Sequence, residues 1–184
     1  MEFNVSNIKF SFKLLQFSVS DYNVRIANHK THGNFTIIRP VHDRIVVTLF
    51  SSGFVNVTGV KSLVDVKPSF KRVVKYLDWP INCAIRPTID NISVAGHYSP
   101  IKKRFRIPLL MTKKEKVSAG FIKIKYNNQR FPGLFLNTKC GVLITYKSGK
   151  FVIVGCKNMK AVQSIISTVE DVYGKSSVQL SCDA

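Results

Sequence analysis

Between residues 5 and 17 apolar Ile8, Phe10, Phe12 and Leu14 alternate with polar Lys9, Ser11 and Lys13. A period of two is that of a strand with one face buried, and Asn7 is placed at its opening. Ser20 is positioned to cap a short helix over 20–27, and 28–33, with His29 and His32, reads as a polar loop. Residues 35–38 and 45–50 read as strands joined around Pro40, and 54–58 as the next. Pro68 suits the first turn of a helix. Phe70, Val73, Val74 and Leu77 then recur at helical spacing, and that helix is expected to end near Trp79-Pro80.

The order then restarts. Residues 85–94 contain Ile89-Asp90-Asn91-Ile92-Ser93, an echo of Val5-Ser6-Asn7-Ile8-Lys9. Further on, one fixed offset carries Phe35 onto Phe131, Val46 onto Val142, Ser52-Gly53 onto Ser148-Gly149, Gly59 onto Gly155 and Lys61 onto Lys157, with Phe50 landing on Tyr146. Apolar β-formers run up to each Ser-Gly pair and resume beyond it, which is a hairpin signature. Asn158 opens a second long helix whose Val162, Ile165, Ile166, Val169, Val172 and Tyr173 form one stripe, with Gly174 as its expected end. The interval from Asn91 to Phe131 exceeds that from Asn7 to Phe35 by about a dozen residues, so the second half carries a basic insertion around 99–125. The expected organisation is a repeat over 1–82, a like repeat over 83–176 and a tail over 177–184, the repeats forming one domain.

Charge narrows the class of partner. The 184 residues carry 28 Lys and Arg against 10 Asp and Glu, a net +18, with 45% apolar residues for a core. Such a field attracts a polyanion, which puts nucleic acid ahead of a membrane surface: no lipidation signal, basic amphipathic helix or transmembrane run appears. Cys83, Cys140, Cys156 and Cys182 lack C-x-x-C spacing, so neither a zinc site nor a disulfide framework is indicated. Reduced thiols inside the cell follow. His29, His32, His42 and His97 lack ligand spacing, and there is no nucleophile elbow, phosphate loop or carboxylate pair. The reading is a non-enzyme with no metal, cofactor or small-molecule substrate.

With both repeats aligned, the chain resembles the core of the TATA-box-binding protein family. Phe50-Ser51-Ser52-Gly53 with Val57-Thr58-Gly59-Val60-Lys61-Ser62 is similar to that family's first-repeat signature. Phe131-Pro132-Gly133-Leu134, Ser148-Gly149-Lys150 and Gly155-Cys156-Lys157 are similar to its second. The resemblance spans roughly residues 5–175. It implies an α+β, pseudo-two-fold saddle: a curved antiparallel sheet of two like repeats, helices on the convex face, and a concave face on the minor groove of A/T-rich DNA, bent in this family by roughly 80°. It also implies transcription initiation with general transcription factors or RNA polymerase as partners, in the nucleus or wherever transcription occurs, a viral transcription site included.

The resemblance assigns residues as well. Phe35, Phe50, Phe131 and Tyr146 match the family's intercalating positions, with Tyr146 standing for a Phe. Asn7, Asn91 and Thr58 match minor-groove contacts, with Val152 and Val154 on the corresponding second-repeat strand. Lys61, Lys150, Lys157 and Arg39 match phosphate contacts. From the residues alone, the aromatics are equally sheet-core side chains, the asparagines local backbone ligands and the lysines solvated charges. Lys9 and Asn56 depart from the pattern by replacing apolar groove residues. Phe54 stands where a basic residue is expected, and 126–131 lacks the acidic residues the family uses to hold a general transcription factor. A TBP-fold interaction module, or a non-specific nucleic-acid binder without TATA recognition, is the alternative.

Overall fold

The computed structural model describes residues 2–17, 29–32, 34–40, 44–97, 120–127, 129–146 and 148–179. They fall into two compact units, Asn7–Asn91 and Met1–Ser6 with Ile92–Ala184. The strands are β1 (Glu2–Lys13), β2 (His29–His32), β3 (Phe35–Ile38), β4 (Val46–Phe50) and β5 (Phe54–Val60), then β6 (Thr88–His97), β7 (Lys123–Asn127), β8 (Phe131–Asn137), β9 (Val142–Thr145) and β10 (Lys150–Cys156). The helices are α1 (Val66–Tyr76) and α2 (Met159–Gln179). In the first unit the antiparallel order is β2-β3-β4-β5-β1, and in the second β7-β8-β9-β10-β6. The two halves share one topology, as the internal repeat requires.

Alternation decides which face is buried. Phe10, Phe12, Val47, Leu49, Val55 and Val57 point to one side of the first sheet and are buried, as are Val66, Phe70, Val73 and Val74 of α1. Phe12 meets Phe70 edge to face, with centroids 4.9 Å apart. In the second unit Leu134, Leu136, Leu143, Phe151 and Ile153 are buried, and α2 contributes Val162, Ile165 and Ile166. α1 thus covers one face of its sheet with the stripe legible in its sequence, and α2 does so with Val162, Ile165 and Ile166, the side chains of Val169, Val172 and Tyr173 lying outside those described.

Helix ends follow local chemistry. The α1 chain reverses through Asp78 at φ 51°, with Asp78 N–H donating to Lys75 O and Trp79 N–H to Val74 O, which is a Schellman closure. Asn158 caps α2 by accepting from Ala161 N–H at 2.9 Å. Gly174 does not end α2, which continues to Gln179. A lone helical glycine costs about 1 kcal/mol relative to alanine, and without a left-handed turn it is no terminator.

Other boundaries shift from the sequence expectation. β1 begins at Glu2, so Asn7 lies within the strand, because Phe3 and Val5 continue the alternation toward the N-terminus. The expected polar loop 28–33 contains β2, whose His29–His32 pair with Phe35–Ile38. Backbone hydrogen bonds hold that edge strand, which needs no apolar stripe. The expected helix over 20–27 and the basic stretches 101–106 and 113–116 lie outside the described residues, whereas Lys123–Asn127 forms β7.

No helix among the described residues is long and apolar enough to cross a membrane. Cys83, Cys140 and Cys156 are free thiols. Burial, and secondarily the charge of nearby Cys140, pushes the Cys156 thiol up from its ordinary value. Exposed Cys140 should therefore react with a maleimide well before Cys156 in the native protein, and the two should react alike in urea; mass mapping of the adducts checks this. Phe10→Ala should cost about 3 to 5 kcal/mol in urea unfolding, since Phe10 is fully buried.

Candidate nucleic-acid interface

Among the described residues no element covers the face of each sheet turned away from its α-helix, and that face is still apolar. In the first unit it carries Phe35, Ile37, Val46, Phe50 and Phe54, all half-buried or exposed. In the second it carries Phe131, Phe135, Val142, Ile144, Tyr146, Val152 and Val154. Phe3 and Ala95 share with Tyr146 and Val152 the lining of a hollow of about 560 Å³ on this unit.

The predicted aromatic pairs assemble. Phe35 is the direct cross-strand partner of Phe50, and their centroids lie 6.0 Å apart at 46°. Phe131 and Tyr146 also lie 6.0 Å apart, at 57°. None of the four is buried, and Phe131 is 37% exposed, so these are surface pairs rather than core aromatics. Phe54 extends the first cluster at 6.3 Å from Phe50, and Phe135 the second at 5.2 Å from Phe131.

Turn geometry places each pair. Gly53 N–H donates to Phe50 O at 2.9 Å and Gly149 N–H to Tyr146 O at 3.0 Å. Both glycines adopt left-handed φ, 79° and 84°, which a side chain disfavours. Each turn therefore starts at the aromatic residue and fixes it at the strand end. Gly133 makes room for Phe131: a Cβ there would lie 2.4 Å from the Phe131 ring and 2.9 Å from Ile144 Cγ2.

Asn7 and Thr58 belong to the same unit. Asn7 Oδ1 accepts from Gly59 N–H at 2.7 Å, where the β1–β5 register slips between Ile8 and Phe10. Because a backbone N–H must meet the oxygen, the amide orientation is settled and its NH2 is the end left to donate elsewhere. Thr58 pairs with Val46 and Val154 with Val142, the same place in the two repeats. Asn91 is half-buried within β6. Lys61, Lys150, Lys157 and Arg39 are exposed, with Lys61 and Lys157 just past the ends of β5 and β10.

Sequence reasoning missed Ile37, Thr48, Phe135 and Ile144 on the uncovered faces. Counting by two from Phe50 or Tyr146 would have found Thr48 and Ile144. It also missed what becomes of Lys9: its Nζ lies 4.0 Å from Asp90 Oδ2, and Ser11 Oγ donates to Asp90 Oδ1 at 3.1 Å. No group of three or more His, Cys, Asp or Glu among the described residues is placed to hold a metal ion.

This fold of two like antiparallel repeats has a solved relative. The structure is similar to that of Methanococcus jannaschii TBP, with a TM-score of 0.75, 20% identity, and 95% of this chain and 99% of that one covered. The sequence is 27% identical over 137 residues to the TATA-box-binding protein of Thermoplasma acidophilum, covering 73% of this chain and 71% of the relative. It is 26% identical over 151 residues to that of Sulfurisphaera tokodaii, covering 79% and 69%. The family model described as "Transcription factor TFIID (or TATA-binding protein, TBP)" matches residues 2–78 and 102–172, once per repeat. The chain belongs to this family. Its α+β fold of two like repeats is the one the sequence led us to expect.

The Asn7 contact has a structural consequence testable without a ligand. Asn7→Ala strands the Gly59 N–H and should cost about 1 to 3 kcal/mol in urea unfolding, whereas Asn7→Asp keeps an acceptor and should stay within about 1 kcal/mol of the parent.

Proposed function

We propose that this protein is a non-enzymatic transcription-initiation factor that lays the uncovered faces of both repeats on the minor groove of A/T-rich promoter DNA and bends it. The observation that carries this reading is the repeated aromatic pair: Phe35 with Phe50, and Phe131 with Tyr146, each at the end of an apolar uncovered sheet face. A·T pairs show the minor groove only acceptors, so a mostly apolar face with few donors suits them, and a guanine amino group is poorly received. Apolar rings inserted at a base step unstack it and kink the duplex.

The remaining residues take roles consistent with that pose. The Asn7 amide, held by Gly59, presents NH2 donors to purine N3 or pyrimidine O2. Asn91 does the same from β6, and Thr58, Val152 and Val154 touch base edges. Lys61, Lys150, Lys157 and Arg39 neutralise phosphates, and the +18 net charge drives association. Bound DNA then serves as the platform on which general transcription factors or RNA polymerase assemble, in the compartment where transcription takes place.

Energy transfer between dyes at the ends of an A/T-rich duplex tests the bend directly. The protein should bring the ends together, and the Phe35→Ala, Phe50→Ala double variant should lose that change and bind more weakly by about 1 to 3 kcal/mol per ring. An unbent duplex, or full affinity in the double variant, sinks the proposal. Removing Lys61 and Lys157 should weaken binding to all duplexes alike and flatten the salt dependence by about 0.9 in logarithmic slope per lost phosphate contact. Asn7→Asp, stable by the argument above, should lose affinity for A/T-rich DNA.

A further inference from the structure

The two uncovered faces differ in one row of side chains. In the first unit Asn56 is the register partner of Thr48 on one side and Ser11 on the other. In the second, Val152 is the partner of Ile144 and Ala95. These positions correspond: the offset taking Phe50 to Tyr146 takes Thr48 to Ile144 and Asn56 to Val152, and the offset taking Asn7 to Asn91 takes Ser11 to Ala95. One repeat therefore crosses its face with Thr-Asn-Ser, the serine itself buried, and the other with Ile-Val-Ala, the alanine exposed. The polar row continues through Ser11 to Asp90, which also faces Lys9.

Asn56 Oδ1 is screened from solvent and has no hydrogen-bond donor among the described residues. An amide oxygen in that state is destabilising, and any ligand that donates to it recovers the loss. The last torsion of an asparagine side chain is soft, so the oxygen can turn toward such a donor. In a minor groove the distinctive base-edge donor is the guanine 2-amino group. A row of Ile, Val and Ala offers it no side-chain acceptor and buries it unpaired, whereas Thr48 Oγ1 and Asn56 Oδ1 are acceptors.

We propose that the Thr48-Asn56-Ser11 row makes the first repeat tolerant of a G·C pair while the second repeat accepts A·T alone, so that the preferred site is asymmetric and sets the direction in which the protein sits. This rests on the minor-groove reading above. It assigns Thr48 and Asn56 as specificity-determining residues.

The test is an anisotropy titration of the full chain against an A·T-only duplex, and against duplexes with one G·C pair in either half or one inosine·cytosine pair, which lacks the amino group. For the parent protein, G·C in one half should change affinity by less than about twofold. In the other half it should cost about tenfold, the order of one wrong base pair, and inosine should restore it. Asn56→Val should make both halves intolerant, and Val152→Asn should make the strict half tolerant, giving two variants with opposite expected effects. Equal penalties in the parent, or an asymmetry that survives Asn56→Val, overturn the proposal. Failure to bind even the A·T-only duplex contradicts the minor-groove reading itself, so the two failures are distinguishable.

Discussion

One α-helix covers only one side of a five-strand sheet, and the rest of this molecule answers to that limit. α1 and α2 bury the side lined by Val47, Leu49, Val55 and Val57 in one repeat and by Leu143, Phe151 and Ile153 in the other. The opposite side is left to solvent, where a free-standing sheet would carry polar residues. Here it carries Phe35, Phe50, Val46, Ile144, Phe131 and Val152. Apolar surface returns roughly 25 cal/mol per Å² when removed from water. An uncovered apolar patch of this kind on each repeat marks a place where something else docks.

Placement of the aromatics depends on backbone features that repeat with the sequence. Gly53 and Gly149 close equivalent turns onto Phe50 and Tyr146, and the slipped register at Gly59 is held by the Asn7 side chain. The turns and the register slip are local, so duplicated sequence reproduces them in both halves. The helix-covered positions differ too but mostly stay apolar, as in Val47 and Leu143 or Val57 and Ile153, whereas on the other face Val152 answers Asn56 and Lys150 answers Phe54. A shared scaffold with unlike surfaces suits a molecule whose two halves meet different stretches of one ligand.

Much of this was legible before any coordinates. The period-two runs, the paired Ser-Gly turns and the spacing of Phe35, Phe50, Phe131 and Tyr146 carry the fold and the aromatic pairs, because turn geometry leaves glycine in the sequence. Register between strands distant in sequence leaves no such mark: that Ser11 stands beside Asn56 follows from pairing β1 with β5. Gly174 misled because glycine ends a helix only when the chain turns left-handed there, which composition does not disclose. Edge strand β2 was missed because its four residues, His-Lys-Thr-His, have no apolar face to announce them.

The central claim is that the uncovered faces, and not the helix-covered ones, receive DNA. Methyl-labelled protein titrated with an A/T-rich duplex reports this residue by residue. The account predicts shifted and solvent-protected methyls at Ile37, Val46, Val142, Ile144, Val152 and Val154, with Leu63 and the 79% exposed Val64, beside α1, unchanged. Perturbation centred on Leu63 and Val64, with the sheet-face methyls silent, would contradict it.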